Sequence, residues 1–214
     1  MKRESHLFSC HKFLEEAGSQ ILHYLAKVDF RDSRNITIMN KLIENYITVI
    51  ANHTQWEEEF IFNKFFTKNE VSTLSEEHFH IEGRANKLIE GFKMLLNLDP
   101  KLRVHQGKLI YLNFRFFYAA NLIHFHCEET NFLSLLQERA SDDEIRAIDK
   151  PIYQAMNSCE IVEMLKNLLP PINFIEKKNI LDDLRNFNST QFNYAIPEIQ
   201  KILTQEEVNE IFVK

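Results

Sequence analysis

Glycine is scarce in this chain, with only 4 residues among 214, against roughly 7% in average usage. An all-β chain of this length would need many tight turns, which draw on Gly, Pro and Asn-Gly pairs. Neither Asn-Gly nor Asp-Gly occurs. Four scattered glycines also cannot build a phosphate-cradling loop, which excludes Rossmann and P-loop sites. Cysteine is sparse as well. Cys10, Cys127 and Cys159 are far apart and form no C-x-x-C pair, so neither a zinc knuckle nor a thioredoxin-like motif is supported. An odd, low cysteine count fits a reducing cytoplasm better than a disulfide scaffold. No window approaches the roughly 18 uncharged apolar residues of a membrane span. The opening MKRESHLFSCHKF has no long apolar core, so no signal peptide is expected. No run of Lys or Arg stands out, and the formal charge is −6, so no nucleic-acid partner is expected either. The expectation left standing is a helical cytoplasmic protein that engages neither nucleic acid nor membrane.

What the chain does contain is 44% apolar residues, 18 Phe and 9 His. That is ample for a thick core and argues against disorder. Apolar residues recur at helical spacing. A first helix is expected from about 6 to 28, with Ser5 as N-cap and Leu7, Phe8, His11, Leu14, Gly18, Ile21 and Leu25 on one face. A second, from about 36 to 66, places Leu42, Tyr46, Val49, His53, Glu57, Phe60 and Ile61 inward. A third, from about 73 to 96, carries Leu74, His78, Ile81, Ala85, Leu88 and Phe92. Asp99-Pro100 then breaks the chain, because the residue before Pro avoids helical backbone. A fourth helix, from about 102 to 139, turns Ile110, Phe114, Phe117, Asn121, His124, Glu128, Asn131 and Leu135 inward. Four long helices with short loops imply an all-α fold, an antiparallel up-down four-helix bundle over 1–140. Residues 141–214 read as a C-terminal helical extension. Short helices are expected over 158–169, 173–187 and 190–203, and capping boxes at Ser141-x-x-Glu144 and Thr204-x-x-Glu207 open two others.

The chemistry concentrates in a repeated string. Helix two contains His53-x-x-x-Glu57-Glu58, and helix four contains His124-x-x-x-Glu128-Glu129. A spacing of four puts His and Glu one turn apart on a single face, and that face is the apolar stripe. Helices one and three each add one stripe histidine, His11 and His78. Two ionised carboxylates are not buried without a partner, and no Lys or Arg shares these stripes. A bound cation satisfies them most simply. Nitrogen and oxygen donors without thiolate suit iron, manganese or zinc, and six ligands exceed one tetrahedral zinc. Two metals sharing the carboxylates accommodate the set and keep about one open position each for a small molecule.

Taken in order, His11, His53-x3-Glu57, His78 and His124-x3-Glu128 make residues 5–138 resemble the hemerythrin family, also called the HHE cation-binding domain. The resemblance implies a non-heme di-iron centre, two iron ions held by these six side chains, although other divalent metals suit the same donors. It also implies a small ligand, O₂ or NO or peroxide, and a role in binding it, reacting with it or handling iron. Glu82 stands where oxygen-carrying members place the second His of a His-x3-His pair. The last helix has Glu at the fourth position after His rather than Asp at the fifth. Four His with two Glu look more like the members linked to iron-centre repair and to iron or nitric-oxide handling, although their N-terminal Cys-containing domain is not expected here. Glu128 versus Glu129, and a ligand role for Glu82, stay open at this point.

The remaining histidines, His6, His23, His80, His105 and His126, read as surface residues. A ferritin-like centre needs Glu-x-x-His on two helices, and only Glu77-x-x-His80 fits. A nucleophilic Cys10 or Cys127 would need a positioned imidazole, and each candidate His is better explained as a ligand. Tyr46, Tyr111, Tyr118, Trp56 and the Phe114–Phe117 run read as core packing. The other functional reading is a helical interaction or regulatory module in which the metal is structural and 141–214 contacts a protein partner.

Overall fold

The structure, a computed structural model, describes residues 6–213, and every regular element among them is helical. Four long helices come first: α1 (Cys10–Leu25), α2 (Ser33–Glu57), α3 (Ser72–Leu95) and α4 (Pro100–Cys127). Local chemistry sets their starts. Asp32 caps α2 by accepting the Arg34 N–H. Asp99 caps α4 through the Lys101 N–H, and Pro100 fills the first turn, where a missing N–H costs nothing. The expected Ser5 cap lies outside the described residues.

Six shorter helices follow: α5 (Asp142–Arg146), α6 (Lys150–Ala155), α7 (Ser158–Leu168), α8 (Phe174–Phe187), α9 (Ser189–Ile202) and α10 (Gln205–Val208). Reciprocal capping boxes open four of them, at Ser141/Glu144, Asn157/Glu160, Asn173/Glu176 and Thr204/Glu207. No described helix is long and apolar enough to cross a membrane.

The chain divides into two compact units. One is Leu14–Ser134; the other joins the stretch ending at Phe13 to the stretch beginning at Leu135. In the first unit, α3 packs on both α2 and α4. Glu77 bonds His124, Arg84 covers Phe116, and Gly91 approaches Ile110. Rising numbers on α3 meet falling numbers on α4, so these two helices are antiparallel. Leu14, Ile43, Leu88, Phe92, Ile110, Phe114 and Phe117 are fully buried among the core side chains. Gly18 admits the Tyr118 ring and the Tyr46 hydroxyl so closely that an added Cβ would lie 2.6 Å from the ring.

The expected first stripe is buried, although Leu7 and Phe8 lie ahead of α1, and the α3 stripe is buried apart from the half-buried Leu74. The stripes of α2 and α4 differ in part. Leu42 and Val49 are exposed, while Met39, Ile43 and Ile50 are buried. Each of the two helices also passes through a π-helical turn, Glu58–Phe62 and Glu128–Phe132, before a final α segment, Asn63–Phe65 and Leu133–Arg139. Asn63 N–H reaches back to Glu58 O, and Leu133 N–H to Glu128 O, both five residues apart. One extra residue per turn moves the inward face one place along the chain. Phe132 and Leu136 are therefore buried where Asn131 and Leu135 were expected, and both of those are exposed. Phe60 is half-buried, and Ile61 and Phe62 fill the core beside it.

In the second unit, α7 and α8 pack on α9, and α6 on α8, around Ile161, Leu165, Leu181, Leu184, Ala195 and Ile199. The residues ahead of α1 belong to this unit. His6 was expected at the surface, yet it is buried, with Nε2 2.8 Å from the buried Asp183 carboxylate. Leu7 and Phe8 are buried beside it in sequence. A carboxylate with 2% exposure needs such a partner. Lys12 Nζ grips both Glu176 oxygens at 2.7 Å.

Candidate metal centre

Both His-x3-Glu strings lie in the Leu14–Ser134 unit, and each puts its two side chains one turn apart. His53 Nε2 is 3.2 Å from Glu57 Oε1, and His124 Nε2 is 3.2 Å from Glu128 Oε1. His78 enters from α3, with Nε2 3.4 Å from Glu57 and 3.8 Å from Glu128. The His78 and His124 Nε2 atoms are 2.8 Å apart. Glu57 and Glu128 have no exposed surface. Glu57, His78, His124 and Glu128 are all buried and offer ligand atoms within 4.8 Å of one another, an arrangement that can hold a metal ion. Among the sequence-expected ligands within this unit, His53, Glu57, His78, His124 and Glu128 come together. His11 belongs to the other unit, where it is fully buried and stacks on Phe8 at 5.0 Å.

The outer nitrogens of two rings are fixed by carboxylates that the sequence reading left without a role. His78 Nδ1 meets Glu58 Oε1 at 3.0 Å, and Ser75 Oγ donates to the same oxygen. His124 Nδ1 meets Glu77 Oε2 at 2.8 Å. A carboxylate on Nδ1 holds the proton there and turns the Nε2 lone pair inward, the arrangement that metal-binding histidines use. The doubled Glu of the repeated string was the visible trace of Glu58. Glu77 left no trace, because it serves a histidine on another helix. Glu129 and Glu82, the open alternatives, are exposed.

The inward atoms fit a cation. One metal holding donors at about 2.1 Å keeps neighbouring donors roughly 3 Å apart, close to the spacings found. Two inward lone pairs facing each other repel unless a positive charge sits with them. Burial opposes charge on His78, but Glu128 and Glu57 outweigh it and push the ring up to about 10. For His124 burial again opposes charge, and Glu128, with help from Glu77, raises it in spite of His78. The carboxylates therefore favour a proton or a metal at this point, and the two compete for the same nitrogens.

Aromatic rings wall the cluster. Phe62 stacks flat on His78 at 5.5 Å, Trp56 stacks on His53 at 6.1 Å, and Phe125 meets His53 edge-on at 5.9 Å. Tyr46 packs against Phe114 and Phe117. His23, His80, His105 and His126 are exposed, as expected. No protein family, curated protein or solved structure matches the chain, and its buried His and Glu groups could hold a metal ion, which is compatible with a metal-binding helical protein.

Proposed function

We propose that the protein is a hemerythrin-like, non-heme di-iron protein of the cytoplasm that binds or reacts with O₂, NO or peroxide, or handles iron. In this reading the long helices form an antiparallel up-down four-helix bundle. One observation carries it: two fully buried carboxylates face imidazoles whose outer nitrogens are already fixed by Glu58 and Glu77. In a metal-bound site that second layer of carboxylates would fix each ring's tautomer and aim its lone pair at the ion. Glu57, His53, His78, His124 and Glu128 are the proposed ligands, with His11 added on the sequence argument. When bound there, a pair of ferrous ions would supply electrons and open coordination positions for a diatomic molecule.

The chain's own part is to position and exclude. Glu58 and Glu77 hold the Nδ1 protons, so His78 and His124 present their lone pairs inward. Phe62, Phe125 and Trp56 keep bulk water off the site and favour an apolar diatomic over a charged ligand. The test is an anaerobic ferrous titration followed by O₂ and then NO, watched by absorption spectroscopy. About two irons per chain and a new visible band on exposure support the reading. Less than about one iron per chain after reconstitution sinks it.

A further inference from the structure

We infer that the outward face of α4 is a docking surface for an acidic amphipathic helix of a partner protein. The reading does not depend on the metal centre. Leu102, Leu109, Phe116 and Ile123 follow one another at seven-residue intervals along α4, and all four are exposed, three of them by 59% or more. Of the three alternating positions between them, the first holds the exposed His105, and the next two hold the half-buried Leu112 and the exposed Ala119, so the apolar repeat is continuous from Leu109 to Ile123. A repeat of three and four residues draws a narrow apolar seam along a helix, the geometry that receives the knobs of another helix. The opposite face of α4 is buried through Ile110, Phe114, Phe117 and His124. The helix is therefore apolar on two faces, and such a helix is normally covered on both.

Charge selects the occupant. From Pro100 to Cys127 the chain carries Lys101, Arg103, Lys108 and Arg115 and not one Asp or Glu, although its formal charge is −6. Lys101, Lys108 and Arg115 are exposed along one edge of the seam. Arg84 reaches across from α3 and lies 4.0 Å over the Phe116 ring. An apolar seam with a cationic rim fits a helix with apolar residues at matching intervals and Glu or Asp beside them. A second copy of this chain would set these cations against their own kind. An anionic membrane prefers a broader apolar face than a seam one or two residues wide.

The experiment uses the full chain and two labelled synthetic 28-residue helical peptides with the same Leu seam, one flanked by Glu and the other by Lys. Fluorescence anisotropy should show saturable binding of the Glu peptide and binding of the Lys peptide weaker by roughly tenfold or more. L109E/F116E should weaken the Glu peptide by at least about tenfold. K108E/R115E alters two exposed cations, of which Arg115 also lies 5.8 Å over the Tyr111 ring, and with helix content checked by circular dichroism it should shift preference toward the Lys peptide. Equal binding of both peptides, or a preference that K108E/R115E leaves unchanged, overturns the inference. So does sedimentation as a dimer that F116E dissolves, or capture by phosphatidylserine vesicles without binding of the Glu peptide.

Discussion

Glu58 and Glu77 give the metal reading its most selective test, because neither faces the centre itself. Each meets its ligand ring at the far nitrogen. Glu58→Gln and Glu77→Gln are each expected to lower metal affinity by about 10–100-fold while keeping the fold. Competition against a chelator of known affinity measures this, and unchanged affinity in both variants would remove their proposed role. His78 makes a second prediction. Its folded pKa, about 10, lies above the ordinary imidazole value. The charge therefore stabilises the metal-free fold in full below about pH 6.5, and that contribution is lost as pH rises through about 10. Thermal melts of metal-free protein should show Tm falling from neutral pH toward pH 10. Bound metal takes the place of the proton, so the loaded protein should show a flatter slope.

The π-helical turns belong to the scale of the element. Thr130 lies on the exposed side of the second one, and deleting it would restore ordinary four-residue spacing. Phe132 and Leu136 would then occupy the places of residues 131 and 135, which an unbroken α-helix turns inward. The fold is expected to survive, with Tm equal or higher, and metal affinity to fall as the backbone at Glu128 relaxes. Calorimetry together with a metal titration checks both halves, and an equal loss of stability would show that the turn serves packing alone. The same turns mark where sequence reading reaches its limit. Helical periodicity located His53, Glu57, His78 and His124 because each sits on an unbroken α stretch, and Glu128 because it opens the π turn only one turn after His124. It misplaced Asn131 and Leu135, because nothing in the composition of Glu128–Phe132 announces an inserted residue. Leu42 and Val49 were misplaced for a different reason. The outer faces of the long helices are themselves apolar in part, and hydrophobicity alone does not tell inside from outside. Glu77 was invisible because its partner is 47 residues away on a neighbouring helix.

At the scale of the molecule, each compact unit has its own core, and the second depends on a segment remote in sequence. His6 is 177 residues from Asp183, yet the two meet at 2.8 Å in the interior. His6→Ala would take the imidazole partner from a buried carboxylate, at a cost of about 1–3 kcal/mol. Urea denaturation should show that loss, and His6→Leu combined with Asp183→Leu should recover much of it. Equal losses in the single and double variants would mean that the pair contributes nothing specific. The backbone itself has a plainer consequence. Among the described residues no φ is positive, at glycine or elsewhere, so every connection between helices runs through conformations open to all L-amino acids. The connections are therefore tolerant by construction. Random substitution should spare the loops and strike the helix interiors, and Gly18 is guarded for the room it leaves rather than for any freedom of its backbone. A chain with few glycines also has less disorder to surrender on folding, by about 0.5–1 kcal/mol at each place where another residue stands instead. Part of this protein's stability is thus written in what its unfolded state cannot do.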